Sequence, residues 1–278
     1  MYPILFHIGP VTIYTYGVLV ALGVLLGLWY ARHHAPAAGL DPDRVWNLGI
    51  YMTLVALLGA KLWLVALYAR YYWSHPRDML TLSTLQSGGT FYGGLIAAVL
   101  FAIPYARRYK IPFLPLVDTY SPGLALGHAI GRLGCFAAGC CWGKPTWLPW
   151  SVTFTSTTAA ELVGTPLGVP LHPTQLYEAV AEFLNFLVLV WMGRQQRFTG
   201  QLFGAYLLLY GAERGAFEFI RGDPERTMLF RTAASPGGAF SLMQVVSLLM
   251  IVLGAWMWWR GLNPSGAARA PHVAAAKR

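Results

Sequence analysis

The chain has 278 residues, 56% of them hydrophobic and only 11% charged, with a mean hydropathy of +0.49. Soluble domains carry about 25% charged residues, so this composition excludes a water-soluble globular protein and indicates a polytopic membrane protein. The net charge of +9 is spread over loops with no single basic stripe, which fits topology and anionic lipid head groups rather than nucleic acid.

Hydropathy divides the chain into about seven stretches of the length a helix needs to cross a bilayer core. They lie near 11–31, 46–69, 88–106, 116–138, 174–192, 201–220 and 239–259. The expected fold class is therefore all-α. The first stretch has no basic residue before it and no small-residue cleavage pattern after it, and it exceeds a signal-peptide core, so it is expected to persist as a helix. Tyr14 and Tyr16 stand near its end, where interfacial belt tyrosines are common.

The fourth stretch holds Asp118, then Ser121-Pro122-Gly123, then His128 and Arg132 one turn apart. A helix broken at the proline and glycine is expected to expose backbone N–H groups that receive an anion. Asp118 is read as orienting or neutralising Arg132. GRLGCFAAGCCWG, residues 131–143, contains all three cysteines of the chain. Cys135, Cys140 and Cys141 match neither a CxxC redox pair nor paired zinc spacing. Cys135 and Cys140, five apart on a helix, are expected to diverge. Apolar packing or lumen lining is the reading adopted for them, with a functional thiol, a metal site or a disulfide as alternatives.

HPTQLYEAVAEF, residues 172–183, reads as a helix start with Pro173 at the first position and Gln175, Glu178 and Glu182 on one face. His172 and Thr174 read equally as capping groups or as catalytic ones. In the sixth stretch Tyr210, Arg214, Glu218 and Arg221 are spaced by four, four and three, a polar stripe along one helical face. Ionisable groups at membrane depth are costly and normally mark a wet cavity or a site. A planar guanidinium suits phosphate, so the stripe reads as a site more readily than as an ion-pair staple.

Counting basic residues between stretches sets the expected orientation. Arg32, Arg44, Arg107, Arg108, Lys110, Arg194, Arg197, Arg260, Arg269, Lys277 and Arg278 make eleven on one side. Arg70, Arg77, Lys144, Arg221, Arg226 and Arg231 make six on the other. The excess puts the N-terminus outside and the C-terminus in the cytoplasm. Residues 1–261 form one expected membrane domain, and 262–278 a flexible basic cytoplasmic tail.

Taken together and in order, GPVTIYTYG, GGTFYGGLIAA, GRLGCFAAGCCWG, HPTQLYEA and YGAERGAFEFIRGDPE resemble the prolipoprotein diacylglyceryl transferase family across almost the whole chain. The resemblance implies a seven-helix enzyme of the bacterial inner membrane. Such an enzyme moves the diacylglyceryl group of phosphatidylglycerol onto the lipobox cysteine thiol in the signal peptide of a preprolipoprotein, and glycerol phosphate departs. It implies no metal and no nucleotide cofactor. The family's arginines fall on Arg132 and Arg214, and its other site positions on Tyr16, Gly93, Gly94, Asp118, Gly143, Tyr210 and Glu218. Where many members have histidine before G-G-L this chain has Tyr92; Cys135 replaces an asparagine, and Cys140 or a neighbour a glutamate. His128 and Glu218 are the expected alternative proton acceptors, each one turn from an arginine. Tyr92 suits a hydrogen bond to lipid better than it suits a base. Two other functions remain open from sequence: a non-catalytic lipid-binding paralogue, and a membrane thiol or metal protein built on the cysteines.

Overall fold

The computed structural model describes residues 1–80, 89–222, 228–229 and 240–263. The expected tail, except for 262–263, lies outside the described residues, as do Arg226 and Arg231. The described chain is mostly helical, and a long helix coincides with each of the seven expected stretches. These are α1 (Thr15–His34), α2 (Pro42–Leu67), α4 (Phe91–Arg108), α5 (Phe113–Ala138), α7 (Thr174–Gly193), α8 (Gln201–Phe217) and α9 (Leu242–Leu262). Two short helices, α3 (Ala69–Ser74) and α6 (Thr157–Val163), lie between them. Among the described residues four segments are long and apolar enough to cross a bilayer: Thr15–Ala38, Pro42–Leu67, Thr174–Gly193 and Leu242–Leu262. The other three carry the polar interruptions: Arg107 and Arg108 end α4, Asp118 and Arg132 lie in α5, and α8 holds Glu213 and Arg214 within 17 residues.

The chain is not wholly helical. Residues Ile4–Ile8 (β1) and Val11–Tyr14 (β2) form an antiparallel hairpin turning at Gly9, so the first helix starts at Thr15 and not at 11. Short pairs join Val152–Thr153 (β3) to Pro170–Leu171 (β4), and Met228–Leu229 (β5) to Phe240–Ser241 (β6).

The chain divides into two compact units, residues 1–30 with 117–278, and residues 31–116. In the smaller, α2 packs on α4. Asp41 caps α2 by accepting from the Asp43 and Arg44 amides, with Pro42 in the first turn, where a missing N–H costs nothing. In the larger unit α8 packs on both α7 and α9, and Ala125, Leu189, Leu202 and Ala205 form a buried core. A capping box of Ser241 and Gln244 starts α9.

Helices α1 and α5 meet backbone to backbone. A Cβ at Gly27 would stand 2.5 Å from the Gly123 carbonyl oxygen, and one at Gly23 would stand 2.7 Å from that of Gly127. Only glycine permits this crossing, the close approach that small residues give membrane helices. It also explains Gly123, which the sequence reading takes as a helix break. The helix is in fact continuous through Pro122, and the Ser121 hydroxyl donates to the Val117 carbonyl at 2.6 Å. No interrupted helix presents N–H groups here, because neighbouring polar groups and packing tolerate a proline within a membrane helix.

Candidate functional site

The larger unit gathers its buried charges where α5, α7 and α8 approach. Gln175, Glu178 and Glu182, expected on one polar face of α7, are all buried, and Thr174 and Asn185 are buried with them. That helix begins at Thr174, with Pro173 as its N-cap, one residue later than read from sequence.

Arg132 on α5 is held at both edges of its guanidinium. Its Nη2 pairs with Glu178 Oε2 at 2.5 Å, and its Nε donates to His128 Nε2 at 3.1 Å. His128 Nδ1 in turn meets Glu182 Oε1 at 2.6 Å. Because Nε2 accepts from Arg132, the imidazole proton sits on Nδ1 and is given to Glu182, so the carboxylate fixes the tautomer. Glu178 and Glu182 are 1% and 0% exposed, and a buried carboxylate is sustained only by such partners. Glu178 Oε1 and Gln175 Oε1 are buried without a hydrogen-bond partner.

On α8 Arg214 Nη1 donates to Glu218 Oε2 at 2.8 Å, an i,i+4 pair with both side chains buried. Tyr210, one turn earlier, sets its ring 5.4 Å from the His128 ring and stacks on Tyr206. Tyr210 is within electrostatic reach of both Arg132 and Arg214. Two buried guanidiniums from separate helices thus act electrostatically on one phenol. Behind them Asn185 Nδ2 donates to Glu213 Oε2 at 2.7 Å.

Tyr16 lies against Gly134, where an added Cβ would come 3.3 Å from its ring, and the Arg132 charge reaches it. Gly143 forms a junction of three strands of backbone. Its amide donates to the His172 carbonyl, Lys144 N donates to Ile220 O, and Gly222 N to Trp142 O. A Cβ at Gly143 would stand 2.5 Å from the His172 Cβ, so no larger residue fits. Arg221, buried, pairs its backbone with Gly143 across this junction. His172 meets the Tyr177 hydroxyl at 3.3 Å.

The cysteines converge rather than diverge. Helix α5 ends at Ala138, Gly139 takes φ +82°, and Gly139 N and Cys140 N both donate to the Cys135 carbonyl. The chain curls back there, and all three sulfur atoms lie within 4.8 Å of one another. Cys141 is held at φ +61°, a conformation unfavourable for a residue with a Cβ. It persists because Thr174 Oγ1 donates to the Cys141 carbonyl at 2.7 Å and Gln175 Nε2 to the Cys140 carbonyl at 2.6 Å.

Asp118 is not part of this group. It lies fourteen residues before Arg132 on one helix, about 21 Å along the axis. Its carboxylate accepts from Gly200 N at 2.5 Å, Phe203 N at 2.9 Å and Gln196 Nε2 at 2.7 Å. The first two are orphan amides at the start of α8 and the third is a side-chain amide, so Asp118 caps that helix from a distance and does not orient Arg132.

The family model described as prolipoprotein diacylglyceryl transferase matches residues 3–260. The chain belongs to that family. Similar proteins named phosphatidylglycerol–prolipoprotein diacylglyceryl transferase include one from Clostridium tetani, 32% identical over 258 residues, covering 93% of this chain and 97% of that protein. One from Finegoldia magna is 32% identical over 251 residues, 90% of this chain and 91% of that protein. One from Brucella canis is 33% identical over 273 residues, 93% of this chain and 91% of that protein.

In this family member Tyr92, Gly93 and Gly94 belong to the smaller unit, on the first turn of α4. The two glycines let α4 press on α2: a Cβ at Gly93 would stand 2.3 Å from the Trp63 Cβ, and one at Gly94 would stand 3.0 Å from the Ala56 carbonyl. Tyr92 is exposed. Sequence reasoning places Glu178 and Glu182 on one polar face but misses their partners, Arg132 for Glu178 and His128 for Glu182, and it misses Glu213 and Asn185 altogether. The run Gln175, Glu178, Glu182, Asn185 at spacings of three and four inside an apolar helix was the available signal.

Proposed function

We propose that this chain transfers the diacylglyceryl group of phosphatidylglycerol to the thiol of the lipobox cysteine in a preprolipoprotein signal peptide. Its seven long helices would cross the bacterial inner membrane with the N-terminus outside and the C-terminus cytoplasmic, as the excess of basic residues between alternate stretches favours. Membership of the family and the names of its relatives support the chemistry. The observation that carries the reading is the pair Arg132 and Arg214, buried on two helices and both within electrostatic reach of Tyr210.

In this mechanism both guanidiniums grip the lipid phosphate, with Tyr210 and Tyr16 as further hydrogen-bond donors to the head group. Gly93, Gly94 and Gly143 serve by allowing the close packing described above. A phosphate that takes the Arg132 Nε–H releases His128 Nε2, whose lone pair then accepts the proton of the acceptor thiol. Glu182 stabilises the imidazolium that results, and Glu178 and Glu218 hold the two arginines in place. The thiolate is the competent nucleophile. Sulfur bonds to the glyceryl carbon, the carbon–oxygen bond to phosphate breaks, and the electron pair leaves on glycerol phosphate. The arginines neutralise that developing charge.

The test is transfer from phosphatidylglycerol to a lipobox peptide by the purified, reconstituted protein. Wild type turns over, and Arg132→Ala and Arg214→Ala each fall about a hundredfold or more. Near-normal turnover in either variant overturns the clamp. Wild-type protein that binds phosphatidylglycerol without turnover would leave a lipid-binding member of the family instead.

A further inference from the structure

Beyond this transfer chemistry, we propose that Cys135, Cys140 and Cys141 form a three-thiolate site for one thiophilic divalent cation of the zinc or cadmium class, with its fourth coordination position open. All three are free thiols, half-buried, and their sulfur atoms lie within 4.8 Å of one another. A metal–sulfur distance of about 2.3 Å requires sulfurs about 3.8 Å apart in tetrahedral and about 4.0 Å apart in trigonal geometry, so a shift of about an ångström or less closes the set.

The backbone is already committed to this arrangement. The left-handed turns at Gly139 and Cys141 fold the end of α5 back on itself, and Gln175 and Thr174 pin the two following carbonyls. The turn at Gly139 is the usual glycine end of a helix, but the left-handed backbone of Cys141, a residue with a Cβ, is more than the packing of three small side chains requires. Those carbonyl oxygens are taken, and the Cys140 thiol has one long contact, 3.7 Å to the Cys135 carbonyl, that metal binding would replace.

Charge selects the ion. Three thiolates around a divalent cation carry a net charge of −1, and the charges of Arg221 and Arg132 reach Cys141. An anionic complex is therefore favoured over a neutral or cationic one. Sulfur ligands exclude the hard cations Mg²⁺ and Ca²⁺, which take oxygen. With three protein ligands, the fourth position remains for water or an incoming thiol.

The test uses the whole protein, without a polyhistidine tag, purified in detergent under reducing conditions and titrated with Cd²⁺. One equivalent should bind, with the ultraviolet absorption of thiolate-to-cadmium charge transfer. Cys140→Ser should weaken binding at least tenfold, and alkylating wild-type thiols beforehand should abolish the band with no change of sequence. Absence of the band in wild type, its survival after alkylation, or a disulfide within the trio of the reduced protein would overturn the site. None of these readouts depends on transfer activity, so the proposed reaction stands or falls separately.

Discussion

Replacing Arg132 with alanine separates a phosphate clamp from a structural ion pair. Glu178 is 1% exposed and pairs with Arg132 at 2.5 Å, so removing the guanidinium strands a buried carboxylate. Breaking one side of such a pair costs about 3–5 kcal/mol, a large share of the 5–15 kcal/mol that holds a typical protein. Adding Glu178→Gln removes the stranded charge while keeping its shape, and thermal stability should recover most of that loss. The transfer rate should not recover. A lost donor to the leaving phosphate is worth about a hundredfold to a thousandfold, about 2.7–4 kcal/mol, and glutamine supplies no replacement cation. The assay is initial-rate transfer from phosphatidylglycerol to a lipobox peptide, beside a thermal melt of each variant. A double variant that turned over near the wild-type rate would show Arg132 to be only the counter-ion of Glu178, and the clamp would be refuted.

Arg132→Lys keeps the charge but loses the forked geometry and the Nε donor to His128, so its rate should fall at least tenfold with little change in melting; wild-type turnover would contradict a forked contact. His128→Ala should lower kcat by about a hundredfold or more, and Glu182→Gln should lower it with the KM for phosphatidylglycerol unchanged; a loss confined to KM would remove His128 from proton transfer. Asp118→Ala should destabilise the protein by about 1–3 kcal/mol through the amides it caps, again with KM unchanged, and a raised KM at full stability would return Asp118 to the head-group site. Gly143→Ala forces a Cβ to 2.5 Å from that of His172 and should cost about 1–3 kcal/mol in a denaturation experiment; an unchanged melt would mean the junction yields.

Position along the chain was legible in the sequence because apolar length is a local property, and all seven long helices lie where hydropathy puts them. The Tyr210, Arg214 and Glu218 part of the polar stripe and the His128–Arg132 pair were legible for the same reason, a charge in an apolar run announcing itself at any depth, whereas Arg221 lies beyond the end of α8 at Phe217, in a bridge with Gly143. What failed depended on partners far along the chain. Asp118 reads as a counter-ion beside Arg132 until Gly200 and Phe203, more than eighty residues away, claim its oxygens. Pro122-Gly123 reads as a break until Gly27 is seen to need the space. The cysteines read as divergent because helical spacing was carried past Ala138, where Gly139 ends the helix and reverses the chain.

The backbone junction at Gly143 joins the ends of three elements by main-chain bonds, linking the stretches that follow α5, precede α7 and follow α8. Because those bonds are made by main-chain groups, the frame that carries Arg132, Glu178 and Arg214 is held at this junction without side-chain bonds. Gly143 and Gly222 are where a side chain would matter: a Cβ at either would stand 2.5–2.6 Å from a neighbouring atom and push the junction apart.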